Sequence, residues 1–242
     1  MAVQQEKKFE VTVNCVVFGY IEQGMQVCLI KRTKEPYCGS WALPGGYVED
    51  RESLEAAVLR ELQYDTGIKK VELQQFHTFD DSENNHINIS YYGLVNTQNQ
   101  SLMTTVKEKN ATWFSVRELP MLAFDHKKII TEAFKKMRID TLNQPIFKYL
   151  IGSKFTLTDI QLILEEIYDC KFDKSNFRKR IQAIGLLVKV GKKKTGVRYV
   201  EPELYQFIRG PIAKKIGHEL FGYTAFIGRL ISKRFSKNLF CR

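Results

Sequence analysis

The chain has 242 residues, 44% hydrophobic and 26% charged, with a formal net charge of +10 at pH 7. That length leaves room for one large domain or two modest ones, and the apolar content excludes wholesale disorder. The five cysteines (Cys15, Cys28, Cys38, Cys170 and Cys241) stand far apart with no Cys-x-x-Cys pair, so neither a zinc knuckle nor a disulfide framework is expected and the thiols are read as reduced. No apolar run is long enough to span a bilayer, and residues 1–8 lack the apolar stretch of a signal peptide, which gives a cytoplasmic expectation with no membrane partner.

The charge is unevenly placed. Residues 1–144 hold 17 Lys and Arg against 19 Asp and Glu, whereas residues 145–242 hold 20 against 8, so the whole excess sits in the second part. Such a split points to a polyanion-binding module joined to a part with another task.

In chain order, Val11 to Phe18 and Gln26 to Ile30 read as two strands of a hairpin. Pro44-Gly45-Gly46 reads as a tight loop, because glycine reaches backbone angles that other residues resist. From Ser53, a plausible N-cap, Leu54, Ala57, Val58, Glu61, Leu62 and Asp65 recur at helical spacing until Gly67 stops the run. Strands follow at Val71 to Phe79, Ile87 to Val95 and Ala111 to Phe114, and a helix at His126 to Met137. A linker is expected near Asn143-Gln144-Pro145. Beyond it, an amphipathic helix from Thr156 to Tyr168, a turn through Cys170 to Asp173, a second helix from Lys174 to Ile184, and strands at Leu186 to Val190 and Val197 to Val200 follow the order of a winged helix. Residues 211–242 are basic and aromatic, and their pattern does not say whether they fold.

On the first helix Glu61 and the acids that could stand at 64 and 65 share one face, since positions i, i+3 and i+4 coincide. A carboxylate cluster of that kind binds Mg²⁺ or Mn²⁺ and activates water against a pyrophosphate. The run Gly46-x5-Glu52-x7-Arg60-Glu61-Leu62-x-Tyr64-Asp65-x-Gly67-Ile68 resembles the Nudix box. The resemblance implies Glu61 and Glu52 as catalytic, Glu61 and Asp65 as metal ligands, and Gly45, Gly46 and Arg60 as ligand-binding; Tyr91, in a strand near the loop, joins the ligand-binding candidates as a ring for stacking. Where the box carries two acids, Tyr64 and the shorter Asp65 stand here, so the metal cluster is worn and the catalytic role is vestigial. A divalent metal is expected only if the chain is hydrolytic, and none for nucleic-acid binding.

On the helix from Lys174, Phe177, Ile181 and Ile184 share the inward face, while Ser175, Lys179 and Gln182 point away with Arg178 at the flank. A polar face of this kind suits phosphates and base edges in a major groove. Lys174, Ser175, Asn176, Arg178 and Lys179 are the expected DNA contacts, joined by Lys192, Lys193 and Lys194 at the hairpin tip and by Arg198.

With Phe155-Thr156-Leu157-Thr158-Asp159-Ile160-Gln161 and Asp173-Lys174-Ser175-Asn176-Phe177-Arg178-Lys179-Arg180-Ile181, the chain is similar to the Nudix-related regulators of NAD metabolism (NrtR) and their sugar-responsive relatives (AraR). That likeness, over roughly residues 9–208, implies an α+β chain: a Nudix α/β/α sandwich with a mixed sheet at 1–144 and a winged helix-turn-helix at 145–210, with the basic tail at 211–242 beyond it. It also implies a homodimer on a palindromic double-stranded operator, repressing until a small-molecule effector, ADP-ribose or a sugar, binds. The rival expectation is an active pyrophosphohydrolase on ADP-ribose.

Overall fold

The computed structural model describes residues 8–22, 24–81, 85–97, 111–193, 201–208, 225–228 and 231. They fall into two compact units, one drawn from Met1–Gly19 and Gln26–Lys136, the other from Tyr20–Met25 and Met137–Arg242. No helix among the described residues is long and apolar enough to cross a membrane.

The first unit is a seven-stranded mixed sheet in the order β3 (Trp41–Ala42), β2 (Gly24–Lys31), β1 (Glu10–Ile21), β6 (His86–Val95), β5 (Glu72–Asp81), with β4 (Gly45–Tyr47) on β1 and β7 (Ala111–Ser115) on β2. β1 and β6 are parallel from Glu10↔His86 to Gly19↔Val95, and β4 runs antiparallel to β1 with Asn14↔Gly45 and Val13↔Gly46 in register. Their near-continuous apolar runs mark strands covered on both faces. On one face α1 (Leu54–Thr66) lays Ala57, Val58 and Leu62 against Val13, Cys15, Val17, Cys28 and Ile30. Its ends are set locally: the Ser53 hydroxyl accepts from Ala56 N at 3.2 Å, and Gly67, at φ 75°, donates to the Gln63 carbonyl. On the other face Phe18 meets Phe134 of α2 (His126–Asn143) edge to face, centroids 5.6 Å apart.

Two local expectations change. Gly45 and Gly46 lie in strand β4 rather than in a tight loop, and neither has a positive φ. Close approach demands them instead: a Cβ on Gly45 would stand 2.3 Å from the Val13 carbonyl oxygen, and one on Gly46 2.5 Å from the Glu61 carboxylate. The helix read to Met137 continues to Asn143, two residues short of Pro145. The described cysteines, Cys15, Cys28, Cys38 and Cys170, are free, and burial holds the Cys15 and Cys28 thiols far above their ordinary range; Cys241 lies outside the described residues.

In the second unit a 3-10 turn (Ile146–Leu150) precedes α3 (Leu157–Tyr168), α4 (Lys174–Ala183) and the hairpin β8 (Leu187–Lys192), β9 (Glu203–Phe207). Thr156 and Asp159 form a reciprocal capping box at the start of α3, and Asp173 caps α4 by accepting from Asn176 N at 2.8 Å. Phe147, Phe155, Ile160, Ile163, Leu164, Ile167, Phe177, Ile181 and Tyr205 are buried. The turn between the helices winds around Glu165, which is 6% exposed and accepts from Phe172 N and Lys171 Nζ at 2.9 Å each and from Gln161 Nε2 at 2.8 Å. Burial pushes that carboxyl up, but the hydrogen bonds outweigh burial and hold it below its usual range. The wing's second strand is Glu203–Phe207; the strand expected at Val197 to Val200 lies outside the described residues. Of the tail, 225–228 is helical, with Phe226 against Phe177 at 5.9 Å between centroids.

Candidate functional site

In the first unit the Nudix-box side chains converge on Arg60. Its Nε and one terminal nitrogen each donate to Glu52, both at 2.8 Å, and that nitrogen also donates to the Tyr47 carbonyl at 3.0 Å. The other terminal nitrogen pairs with Glu61 and lies 3.6 Å from Glu49. One guanidinium therefore ties β4, the loop after it and α1 together. Its hydrogen bonds hold the Glu52 carboxyl below the usual range, and Glu52 in turn raises the guanidinium. Gly46 lets the Glu61 carboxylate lie against the β4 backbone.

Asp65 is 1% exposed and accepts from Gly45 N at 3.1 Å, so it fastens helix to strand, whereas Tyr64 next to it is 55% exposed. Among the described residues no three His, Cys, Asp or Glu side chains are placed to share a metal ion. The donors do not fit a divalent cation: Glu52 and Glu61 are engaged by Arg60, Asp65 is turned to a backbone amide, and position 64 carries a phenol. The expected pair of ligands, Glu61 and Asp65, is thus divided between two structural tasks.

Tyr91 belongs to the core cluster under α1, 6% exposed, with its hydroxyl donating to Gln75 Oε1 at 3.3 Å. The opposite face of β6, together with the neighbouring strand β1, carries a polar row that the sequence pattern alone did not bring out. Asn88 Nδ2 donates to Thr12 Oγ1 at 2.9 Å, Thr12 Oγ1 is also 2.9 Å from His86 Nε2, and Ser90 Oγ donates to Asn88 Oδ1 at 2.8 Å. Asn14, beside Ser90 in register, is 4% exposed, and its Oδ1 has no hydrogen-bond partner. A buried acceptor left unpaired costs about 1–3 kcal/mol, so a row that keeps one is suited to a donor arriving from outside. The available signal was the alternation itself: Thr12 and Asn14 in β1, and Asn88 and Ser90 in β6, interrupt strands that otherwise read apolar.

Near the start of α2 a second constellation gathers. Arg32 donates from Nε to the Pro36 carbonyl at 2.8 Å and lies 4.9 Å from the Phe124 ring centroid. Tyr37 meets Phe124 edge to face at 4.8 Å, and both are about half exposed. His126 Nδ1 accepts from Leu43 N at 3.0 Å, which requires an unprotonated Nδ1, and burial first and Arg32 second push the imidazole down to about 4.

In the second unit α4 buries Phe177, Ile181 and Ile184 and exposes Lys174, Ser175, Asn176, Arg178 and Lys179, the division its spacing predicts. Arg178 donates to Thr158 Oγ1 at 3.5 Å. Gln182 does not stand free on that face: its Nε2 donates to the Tyr205 hydroxyl at 3.0 Å. Lys192 and Lys193 are exposed at the base of the wing, where Lys193 N donates to the Pro202 carbonyl at 2.8 Å; Lys194 and Arg198 lie outside the described residues.

His126 supplies a pH test. Its folded-state value lies below its unfolded one, so the neutral ring stabilises fully above about 6.5, and that contribution is lost as pH falls toward about 4. Thermal unfolding of wild type between these values should show a fall on the order of 2 kcal/mol that His126→Asn, which keeps an acceptor for Leu43 N, lacks. Parallel pH profiles of the two proteins would remove the buried neutral imidazole.

Comparison with known proteins agrees with this geometry. Residues 8–133 match the NUDIX domain, and residues 147–207 match the NrtR DNA-binding winged helix domain. Over 204 residues, 81% of each chain, the sequence is 28% identical to the ADPR responsive transcriptional repressor NtrR of Acinetobacter baylyi. Over 119 residues, 48% of this chain and 70% of the other, it is 40% identical to an ADP-ribose pyrophosphatase of Methanocaldococcus jannaschii. The crystal structure of Shewanella oneidensis NrtR complexed with a 27mer DNA superposes with a TM-score of 0.71 at 28% identity, covering 82% of this chain and 93% of that one. With more than half its length matched by the domain model, the chain belongs to the Nudix family, here carrying a winged helix of the NrtR type behind the Nudix fold.

Proposed function

We propose that this protein is a ligand-responsive transcriptional repressor: the winged helix binds operator DNA, and ADP-ribose or a closely related nucleotide-sugar in the Nudix unit weakens that binding. The observation that carries the reading is the exposed cationic face of α4 and the wing base, Lys174, Arg178, Lys179 and Lys193, on a unit that matches the NrtR DNA-binding winged helix domain; the Shewanella protein is itself complexed with a 27mer DNA. The Nudix side chains support a receptor rather than a hydrolase, because the carboxylates a metal would need are held by Arg60 and by Gly45 N. The polar row of Thr12, Asn14, Asn88 and Ser90 offers hydroxyl and amide groups to a ribose or a base. A homodimer on a palindromic site is part of the proposal, since paired winged helices read two half-sites at a spacing set by the protein.

Fluorescence anisotropy with duplex from upstream of its own gene tests the reading directly. Tighter binding than to random duplex at equal salt, reversed by ADP-ribose, is expected; equal affinity for both duplexes refutes it. Lys193→Ala should weaken all duplexes alike and lower the salt slope by about one unit, while Asn176→Ala should cost about 1–3 kcal/mol and also relax sequence preference. Asn14→Leu, which replaces a buried amide whose oxygen is unpaired with a side chain of similar size, should raise the melting temperature of the free protein and weaken ADP-ribose about tenfold or more by calorimetry.

A second reading, ADP-ribose hydrolysis, is favoured by the identity to the Methanocaldococcus pyrophosphatase. Phosphatase-coupled phosphate release with Mg²⁺ or Mn²⁺ separates the two. No turnover is expected from wild type; turnover abolished by Glu61→Gln would put the hydrolase in place of the receptor.

A further inference from the structure

Tyr205 joins three parts of the winged helix unit. Its N–H donates to the Phe155 carbonyl at 2.8 Å and its carbonyl accepts from Phe155 N at 3.1 Å, which ties β9 to the segment leading into α3. Its side chain is buried, and its hydroxyl accepts from Gln182 Nε2 in the last turn of α4 at 3.0 Å while donating to Glu203 Oε2 at 2.9 Å. The other Glu203 oxygen pairs with Lys189 of β8, the residue opposite Tyr205 in the hairpin register. A relay of four side chains, Gln182, Tyr205, Glu203 and Lys189, therefore runs from α4 to the first wing strand. Gln182, Glu203 and Tyr205 border an open groove of about 810 Å³ that is also lined by Thr158, Lys174, Arg178 and Lys193, with Asp159 and Glu201 as its other acids.

The two kinds of DNA contact respond differently to a change in the angle between α4 and the wing. A lysine facing a phosphate acts through a long-range, weakly directional attraction and a flexible stem, so it tolerates a shift of an ångström. A hydrogen bond to a base edge weakens steeply outside a narrow range of distance and angle. Whatever fixes α4 against the wing therefore governs discrimination between sequences more than affinity for DNA in general.

We propose that Tyr205 is a positioning residue for sequence reading: through Gln182 and Glu203 its hydroxyl sets the angle at which the exposed residues of α4 meet base edges, while the phosphate contacts form without it. The proposal rests on the DNA-binding reading above. It also explains why Gln182 is bonded within the protein although it lies on the exposed side of α4. Hydrogen bonds from Lys189 and then Tyr205 hold the Glu203 carboxyl below its usual range, which keeps it an acceptor for the phenol.

The test uses the full chain and two probes: a duplex enriched by the wild-type chain from a randomised pool, and a random duplex of equal length. Tyr205→Phe keeps the ring and both backbone bonds to Phe155 and deletes only the hydroxyl. It should lower the ratio of affinities for the two probes about fivefold, with random-duplex affinity and salt slope unchanged. Gln182→Ala, a surface change that leaves the core intact, should do the same, and the double variant should lose no more than either single one. An unchanged ratio in Tyr205→Phe, additive losses in the double variant, or equal weakening on both probes would each overturn the positioning role while leaving DNA binding intact. A pool that yields no preferred sequence would overturn the DNA-binding reading and the positioning role with it.

Discussion

The Nudix unit turns on one guanidinium. Arg60 is bidentate to Glu52, paired with Glu61 and bonded to the Tyr47 carbonyl, so strand β4, the loop behind it and helix α1 share a single cation. The arrangement requires glycine at 46, where any side chain would overlap the Glu61 carboxylate, and glycine at 45, where the strand runs against the backbone of β1. In a hydrolytic site such carboxylates must also hold a hard cation, which depends on ligand number and charge. Here Tyr64 removes one donor, and Asp65, one methylene shorter than glutamate, is drawn onto Gly45 N. The carboxylates serve instead as a brace between strand, loop and helix.

The winged helix unit is organised differently. Its helices are capped by their own side chains, Thr156 with Asp159 and Asp173 with Asn176 N, and the turn between them closes on the buried Glu165. These devices use up the acids near α4 internally, so the cations of its outer face lack acidic partners on the same helix: residues 174–183 contain three arginines and lysines beyond Lys174 and no acid. A helix whose charge is uncompensated on one face is suited to a polyanion, and the strong salt dependence expected of it follows from counterion release.

Much of this was legible in the sequence because the relevant rules are local. The cap at Ser53, the stop at Gly67, the inward stripe of Phe177, Ile181 and Ile184 and the eroded acid pair follow from spacing within a few residues. The failures share a cause. Gly45 and Gly46 read as a turn because their conformational freedom is a local property, whereas their use here, a close approach to Val13 and Glu61, depends on a strand and a helix distant in sequence. Tyr91 read as a ring available for stacking because the strand's register, which buries it under α1, is invisible without its partner β1. The polar row was missed for the same reason: Thr12 with Asn88, 76 residues apart, becomes a pair only once the parallel register is known. Gln182 read as a free groove contact until Tyr205, 23 residues on, claimed its amide.

The energetic demand on a receptor of this kind is small. A ligand shifts DNA occupancy only by the difference in its affinity for the DNA-competent and DNA-incompetent states, however tightly it binds either. A tenfold loss of operator affinity needs about 1.4 kcal/mol of that difference. One buried acceptor that is satisfied in one state and orphaned in the other is worth about that much. The unpaired Oδ1 of Asn14 is a group of that size, in the central strand of the sheet. Reciprocity then fixes a second consequence: whatever factor ADP-ribose removes from operator binding, the operator must remove from ADP-ribose binding. A metal-assisted hydrolysis would degrade this coupling, because consumption of the effector would convert a state variable into a transient. For a receptor, the loss of the second acid at position 64 is therefore a gain in fidelity.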